Sequence, residues 1–279
     1  MDVLNSVSET ALITLRARVI ESQKDKAVIK DDVGAECLHR LQKLLPRETQ
    51  DRILKKKLPS TLTRHLALRA RKYDGYARTF IQGHPNGMVV SLGCGFDTRY
   101  WRLFEKPWNY VEVDLPEVIE AKRQVLGNIA QYLMISCSVL EEEWILKIHS
   151  MQSDNVLFIA EGLFMYLPRD EVIRIFNRLS ASFTKSQIAV EVVSESFTKG
   201  IGKRLLKSKM QRSFGMKEDA SFSFGIRDAK EIENYGNNIR VVEEWSYFED
   251  PDIEPKFFRL FRNFKPMSRS QWTIRATIG

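Results

Sequence analysis

A chain of 279 residues, 43% hydrophobic and 28% charged, has enough apolar material for one sizeable α/β domain or two small ones, and no apolar segment long enough to span a bilayer. Its formal net charge of +7 is spread along the chain, clumped only at Lys55-Lys56-Lys57 and in residues 199–212, with no nucleic-acid motif beside it, so neither nucleic acid nor a membrane is expected as a partner. Met1-Asp2-Val3-Leu4 lacks the basic start and apolar run of a signal peptide, which leads to an expected cytoplasmic location.

Residues 8–22 show helical spacing, with Ala11, Leu12, Leu15 and Val19 on one side and Ser8 or Thr10 able to cap. A second helix is predicted over residues 31–45, stopping before Pro46. A third begins near Pro59-Ser60-Thr61, carries Leu62, Leu66 and Ala70 on one face, and ends near Gly83. From residue 88 the pattern changes. Short apolar, β-branched runs at 88–92, 110–113, 132–136, 156–160 and 188–193 alternate with helical segments such as 115–126 and 169–183. Strands apolar throughout and separated by helices read as a parallel sheet covered on both faces. Residues 240–247 and 271–278 lack a crossover helix between them and are expected to pair as an antiparallel edge.

With no repeats, low-complexity tracts or Gly/Ser linker, residues 1–279 read as one domain. It divides into a basic helical cap (1–85), a core (86–193), an insertion (194–235) and a strand pair (236–279). The insertion, with Lys203, Arg204, Lys207 and Lys209, then Phe222 and Phe224, reads either as a lid or as a solvated basic helix with a core-anchoring tail. Cys37, Cys94 and Cys137 are odd in number, without CxxC spacing. The four histidines are never paired at ligand spacing, so buried thiols, surface imidazoles and no metal are expected.

The sharpest local feature is Val89-Val90-Ser91-Leu92-Gly93-Cys94-Gly95-Phe96-Asp97-Thr98-Arg99, a buried strand entering Gly-x-Gly. Thr98 stands where a dinucleotide fingerprint has its third glycine, so a pyrophosphate seat is missing. The next strand ends at Asp114, 19 residues after Gly95, near the spacing at which a carboxylate meets a ribose hydroxyl. The alternative is a helix cap, since Pro116 follows. Glu161 ends another buried run. It needs either a cationic ligand group or a structural arginine.

Three motifs in order carry a resemblance: Gly93-Cys94-Gly95-Phe96-Asp97-Thr98-Arg99, Glu112-Val113-Asp114-Leu115-Pro116-Glu117-Val118 and Glu161-Gly162-Leu163-Phe164-Met165-Tyr166-Leu167-Pro168. Weaker echoes occur at Arg69-Ala70-Arg71-Lys72-Tyr73-Asp74 and at Glu244-Trp245-Ser246-Tyr247. The chain resembles the leucine carboxyl methyltransferase family, in particular its tetracenomycin-type polyketide O-methyltransferase branch. The resemblance implies an α/β fold of the class I S-adenosylmethionine-dependent methyltransferases: a Rossmann-like seven-stranded sheet, its last strand antiparallel, with an N-terminal helical cap. It implies S-adenosyl-L-methionine as cofactor, with Gly93, Gly95, Asp97, Asp114, Leu115 and Glu161 around it and Arg69, or else Arg71, on its carboxylate. Where the family carries an acid for the adenine amino group this chain has Ser136-Cys137-Ser138, leaving Ser138 as the candidate.

The implied activity is methyl transfer to a hydroxyl or carboxylate oxygen of a small-molecule acceptor. The alternatives are a protein C-terminal leucine carboxyl methyltransferase and a non-catalytic module of the same fold. No residue stands out as a base; Tyr166, Tyr247, His149 and Glu191 are candidates that packing explains equally well. Phe222, Phe224, Trp245 and Tyr247 could wall an aromatic pocket or belong to the core. Oligomeric state is not legible in the chain.

Overall fold

Seven strands form one sheet in the order β3-β2-β1-β4-β5-β7-β6: β1 (Met88–Leu92), β2 (Tyr110–Asp114), β3 (Leu133–Ser136), β4 (Val156–Ala160), β5 (Ser186–Val193), β6 (Arg240–Trp245) and β7 (Gln271–Ile278). The computed structural model describes residues 9–103, 108–153, 155–200, 204 and 222–279. The first five strands run parallel, as their continuous apolar character required. The expected antiparallel strand pair is present at the edge of the sheet, with β6 outermost. β7 lies between β5 and β6, antiparallel to both.

The three predicted cap helices are α1 (Glu9–Ser22), α2 (Asp32–Leu44) and α4 (Ser60–Gly83), with a single turn α3 (Arg47–Thr49) that the sequence did not predict. Within the core lie α5 (Arg99–Leu103), α6 (Pro116–Leu126), α7 (Glu143–Ser150) and α8 (Arg169–Ser182). Sheet positions alternate between two layers. Val89, Leu157, Ile159 and Ala189 pack on Tyr73, Ala77 and Phe80 of α4. Val90, Phe158 and Ile188 face Trp144 of α7 and Ile175, Phe176 and Leu179 of α8. A separate cluster joins α1 and α2 to α6, with Cys94 and Phe96 from the turn after β1.

Of the insertion expected at 194–235, residues 201–203 and 205–221, which include Lys203, Lys207 and Lys209, lie outside the described residues. Ser8 does too. The insertion's described tail is anchored: Phe224, Ile226, Ala229 and Ile232 are buried in the main core. All three cysteines are free and buried. His39 and His149 are exposed, whereas His65 and His84 are half-buried against Tyr247 and Phe80. No described helix is long and apolar enough to cross a membrane.

Candidate functional site

The strand order reverses between β1 and β4, and in an open α/β sheet ligands bind beyond the carboxyl ends at such a point. After Leu92 the chain turns through Gly93 and Gly95 with φ of +61° and +49°, backbone that strains any side chain. The turn is tied to the β2 tip. Gly95 N–H donates to Asp114 Oδ2 at 2.7 Å and Leu115 N–H to Oδ1 at 2.8 Å. Asp114 is therefore not the cap of α6, whose N-cap is Leu115 with no side-chain bond. Each of its oxygens keeps a lone pair for a further donor. Burial pushes the Asp114 carboxyl above its ordinary pKa, and the two N–H donors take back part of that rise. Beside it Leu115 is 44% exposed, an apolar wall waiting for a flat neighbour. Ser138, just beyond the β3 tip, accepts from Leu140 N–H through Oγ at 3.2 Å, closing a local turn.

At the β4 tip the chemistry is ionic. Arg69 Nε donates to Glu161 Oε1 at 2.9 Å and Arg99 Nη2 to Oε2 at 2.7 Å. Of the two readings of Glu161, the arginine pairing is the one the structure contains. Burial alone would raise the Glu161 pKa, but Arg69 and Arg99 outweigh it and hold the carboxylate below its usual value. Arg99, wholly buried, also meets Asp74 and Asp97. Arg102 bonds Asp74 and Asp97 and reaches Asp31. Arg18 of α1 closes the chain, donating to Asp31 at 2.9 Å and to Phe96 O at 2.7 Å. Four arginines and five carboxylates, counting Glu191 on Arg69, thus run unbroken from the cap helices to β5.

Two of the expected cofactor ligands are paired with other side chains. Asp97 is spent on Arg99 and Arg102. Burial opposes its charge, yet those two arginines hold its pKa well below the carboxylate range. Arg71 is two residues beyond Arg69, about 200° around the helix, and pairs with Asp250 and Asp252 instead. It lines a concavity of about 590 Å³ between α4 and the β5–β7–β6 flank, with Tyr76, Glu243 and Arg275.

The candidate bases also sit away from the glycine turn or are locked. Tyr166 packs on Phe222, with the Thr10 side chain beside its hydroxyl. Tyr247 stacks edge-on against His65, and burial pushes its phenol up to about 12. His149, in the last turn of α7, lies against Phe183. Phe222, Phe224 and Trp245 are buried. Among the described residues no cluster could hold a metal ion.

Arg99, Arg18, Asp31, Asp74 and Arg102 were in plain view without an assigned role. The signal was a charge at a core position: Arg18 shares a helical face with Ala11 and Leu15, and α4 brings Arg69 over Tyr73 and Ala77. A charge placed there is buried and must be paired.

The leucine carboxyl methyltransferase family model matches residues 11–180. The chain is 28% identical over 252 residues to the tetracenomycin polyketide synthesis O-methyltransferase of Streptomyces glaucescens, covering 89% of this chain and 86% of the relative. It is 27% identical over 264 residues to an S-adenosyl-L-methionine-dependent methyltransferase of Gibberella zeae, covering 88% and 84%. A solved structure of a DUF574 family protein from Streptomyces avermitilis superposes over the whole of both chains with a TM-score of 0.55 at 13% identity, a likeness of fold alone.

Proposed function

The chain belongs to the leucine carboxyl methyltransferase family, and from that membership we propose that it transfers a methyl group from S-adenosylmethionine to an oxygen of a small molecule, a carboxylate being the acceptor best suited to the site. It is an S-adenosylmethionine-dependent methyltransferase. The observation that carries the cofactor reading is the joining of three strand tips: Asp114 on the Gly95 N–H, and Glu161 between Arg69 and Arg99. The donor set suits the cofactor. Asp114 would hold the ribose hydroxyls, Leu115 the adenine face, Ser138 the adenine edge, Glu161 the amino group and Arg69 the carboxylate.

When bound, S-adenosylmethionine supplies a methyl carbon already activated on a sulfonium. The protein then has to align the acceptor oxygen and exclude water, and such positioning contributes roughly 7–11 kcal/mol. Leu163 packs over Gly93, and Ala11 of α1 lies 3.1 Å from where a side chain on Gly95 would stand, so neighbouring side chains half-cover the turn. The phenols of Tyr166 and Tyr247 are both pushed upward by burial, the wrong direction for a base at neutral pH. A carboxylate acceptor arrives already deprotonated and needs none.

We read the chain as one domain, because the ion network binds cap to sheet. We place it in the cytosol, which three unpaired thiols support. The test is a transfer assay with labelled methyl donor against small carboxylic acids, phenols and peptides ending in leucine. Label on small acids is expected. Label on the peptides alone, or none from a chain that binds the cofactor, would overturn the acceptor assignment.

A further inference from the structure

Arg69 presents three faces of one planar guanidinium, and two are taken. Nε is on Glu161, and Nη1 lies on both oxygens of Glu191 at 2.8 and 3.2 Å. Among the described residues Nη2 carries no hydrogen bond. It faces Gly162, where the backbone turns at φ +68° and a side-chain carbon would stand 3.5 Å from both Nη2 and Glu191 Oε2. The missing side chain therefore leaves a gap at the one open prong of the fork. Glu191 itself is braced from β7, since Gln271 Nε2 donates to its Oε1 at 2.6 Å. It stands opposite Thr273 in the sheet, with Tyr73, Tyr166 and Glu161 close enough to act on it or be acted on by it. Burial pushes its carboxyl upward and Arg69 pulls it back. A buried pair of this kind contributes little net stability and is best attested where it sets geometry.

We propose that Glu191 is a positioning residue for the cofactor carboxylate: braced by Gln271, it fixes the plane of Arg69 so that Nη2 projects through the gap at Gly162. This rests on the cofactor reading above and extends it to residues from β5, β7 and the β4 turn. A planar guanidinium binds a carboxylate well only when its direction is fixed in advance. Glu191 acts through Arg69 and touches neither methyl nor acceptor.

The experiment compares two ligands by calorimetry: S-adenosylmethionine, and 5′-methylthioadenosine, which keeps the adenosyl group but lacks the amino-acid portion. In Glu191→Gln, affinity for S-adenosylmethionine is expected to fall about tenfold, while that for methylthioadenosine stays within about twofold. Gln271→Met, which removes only the brace, is expected to give the same selective loss in smaller measure and serves if Glu191→Gln fails to fold. Equal losses for both ligands, or no loss for either, would overturn the proposal. A wild-type protein that binds methylthioadenosine but not S-adenosylmethionine would also overturn it. Binding of neither ligand removes it together with the cofactor reading.

Discussion

At the β4 tip both oxygens of Glu161 are already held by arginines, whereas at the β2 tip Asp114 is held by two backbone N–H groups and keeps acceptor capacity to spare. One end of the proposed cofactor site is set by buried charge. The other is set by backbone, an exposed leucine and a serine. The lesson is about where each end stores its order. Breaking the charged end costs the fold, because every removed partner leaves others buried and unpaired. Altering the proposed adenosine end is expected to cost mainly binding.

The largest effect is expected from Arg99→Leu, which strips a partner from Asp74, Asp97 and Glu161 together. Urea unfolding should show a loss of about 3–5 kcal/mol. A loss below about 1 kcal/mol would mean the network is redundant and the contrast between the ends is false. Asp114→Asn leaves one of the two backbone N–H groups without its acceptor and should cost about 1 kcal/mol in unfolding, yet weaken the cofactor by roughly 1.5–3 kcal/mol, read by calorimetry. A stability loss larger than the binding loss would make Asp114 structural.

Acid should separate the two ends. The Asp114 pKa is raised on folding, so its charge is lost first as pH falls, and cofactor affinity should decline while the fold holds. Asp31, Asp97 and Glu161 have folded pKa values depressed by their arginines despite burial. Their contribution to stability is present above the ordinary carboxylate range and lost as pH drops through those lowered values. Titrating affinity and urea stability in parallel from pH 7 to pH 3 checks the order; unfolding that precedes the loss of binding would reverse it. The smallest effect is a gain. Ser138→Asp restores an acid at the adenine edge and should tighten the cofactor by about 1 kcal/mol, and a weakening would show that the turn at Leu140 fills that position.

How far the chain could be read follows from the range of the interactions involved. Residues 88–92, 156–160 and 271–278 coincide with β1, β4 and β7, because continuous or alternating apolar character is a local property. The place of β7 inside the sheet was not local: the two-residue alternation of Trp272, Ile274 and Ala276 fixes which face is buried, and says nothing of the neighbours. Gly95, Asp114 and Glu161 could be proposed as a site from sequence because each lies at or just beyond the end of a buried strand. Arg71 was misplaced beside Arg69 because two residues along a helix point in nearly opposite directions. The pairing of Asp97 was not legible, because its partners, Arg99 and Arg102, stood nearby in sequence without a sign that they turn inward. Ties such as Arg18 to Phe96 and Arg102 to Asp31 join distant segments and leave no periodic trace.

The central claim is that the β1, β2 and β4 tips form one receptor for S-adenosylmethionine, and a crystal structure of the protein grown with that cofactor tests it most directly. The expected result places both ribose hydroxyls on Asp114, the amino group on Glu161 and the carboxylate on Arg69. A cofactor seated elsewhere, such as the concavity beside Arg71, or one that leaves Asp114 and Arg69 without contact, would contradict it.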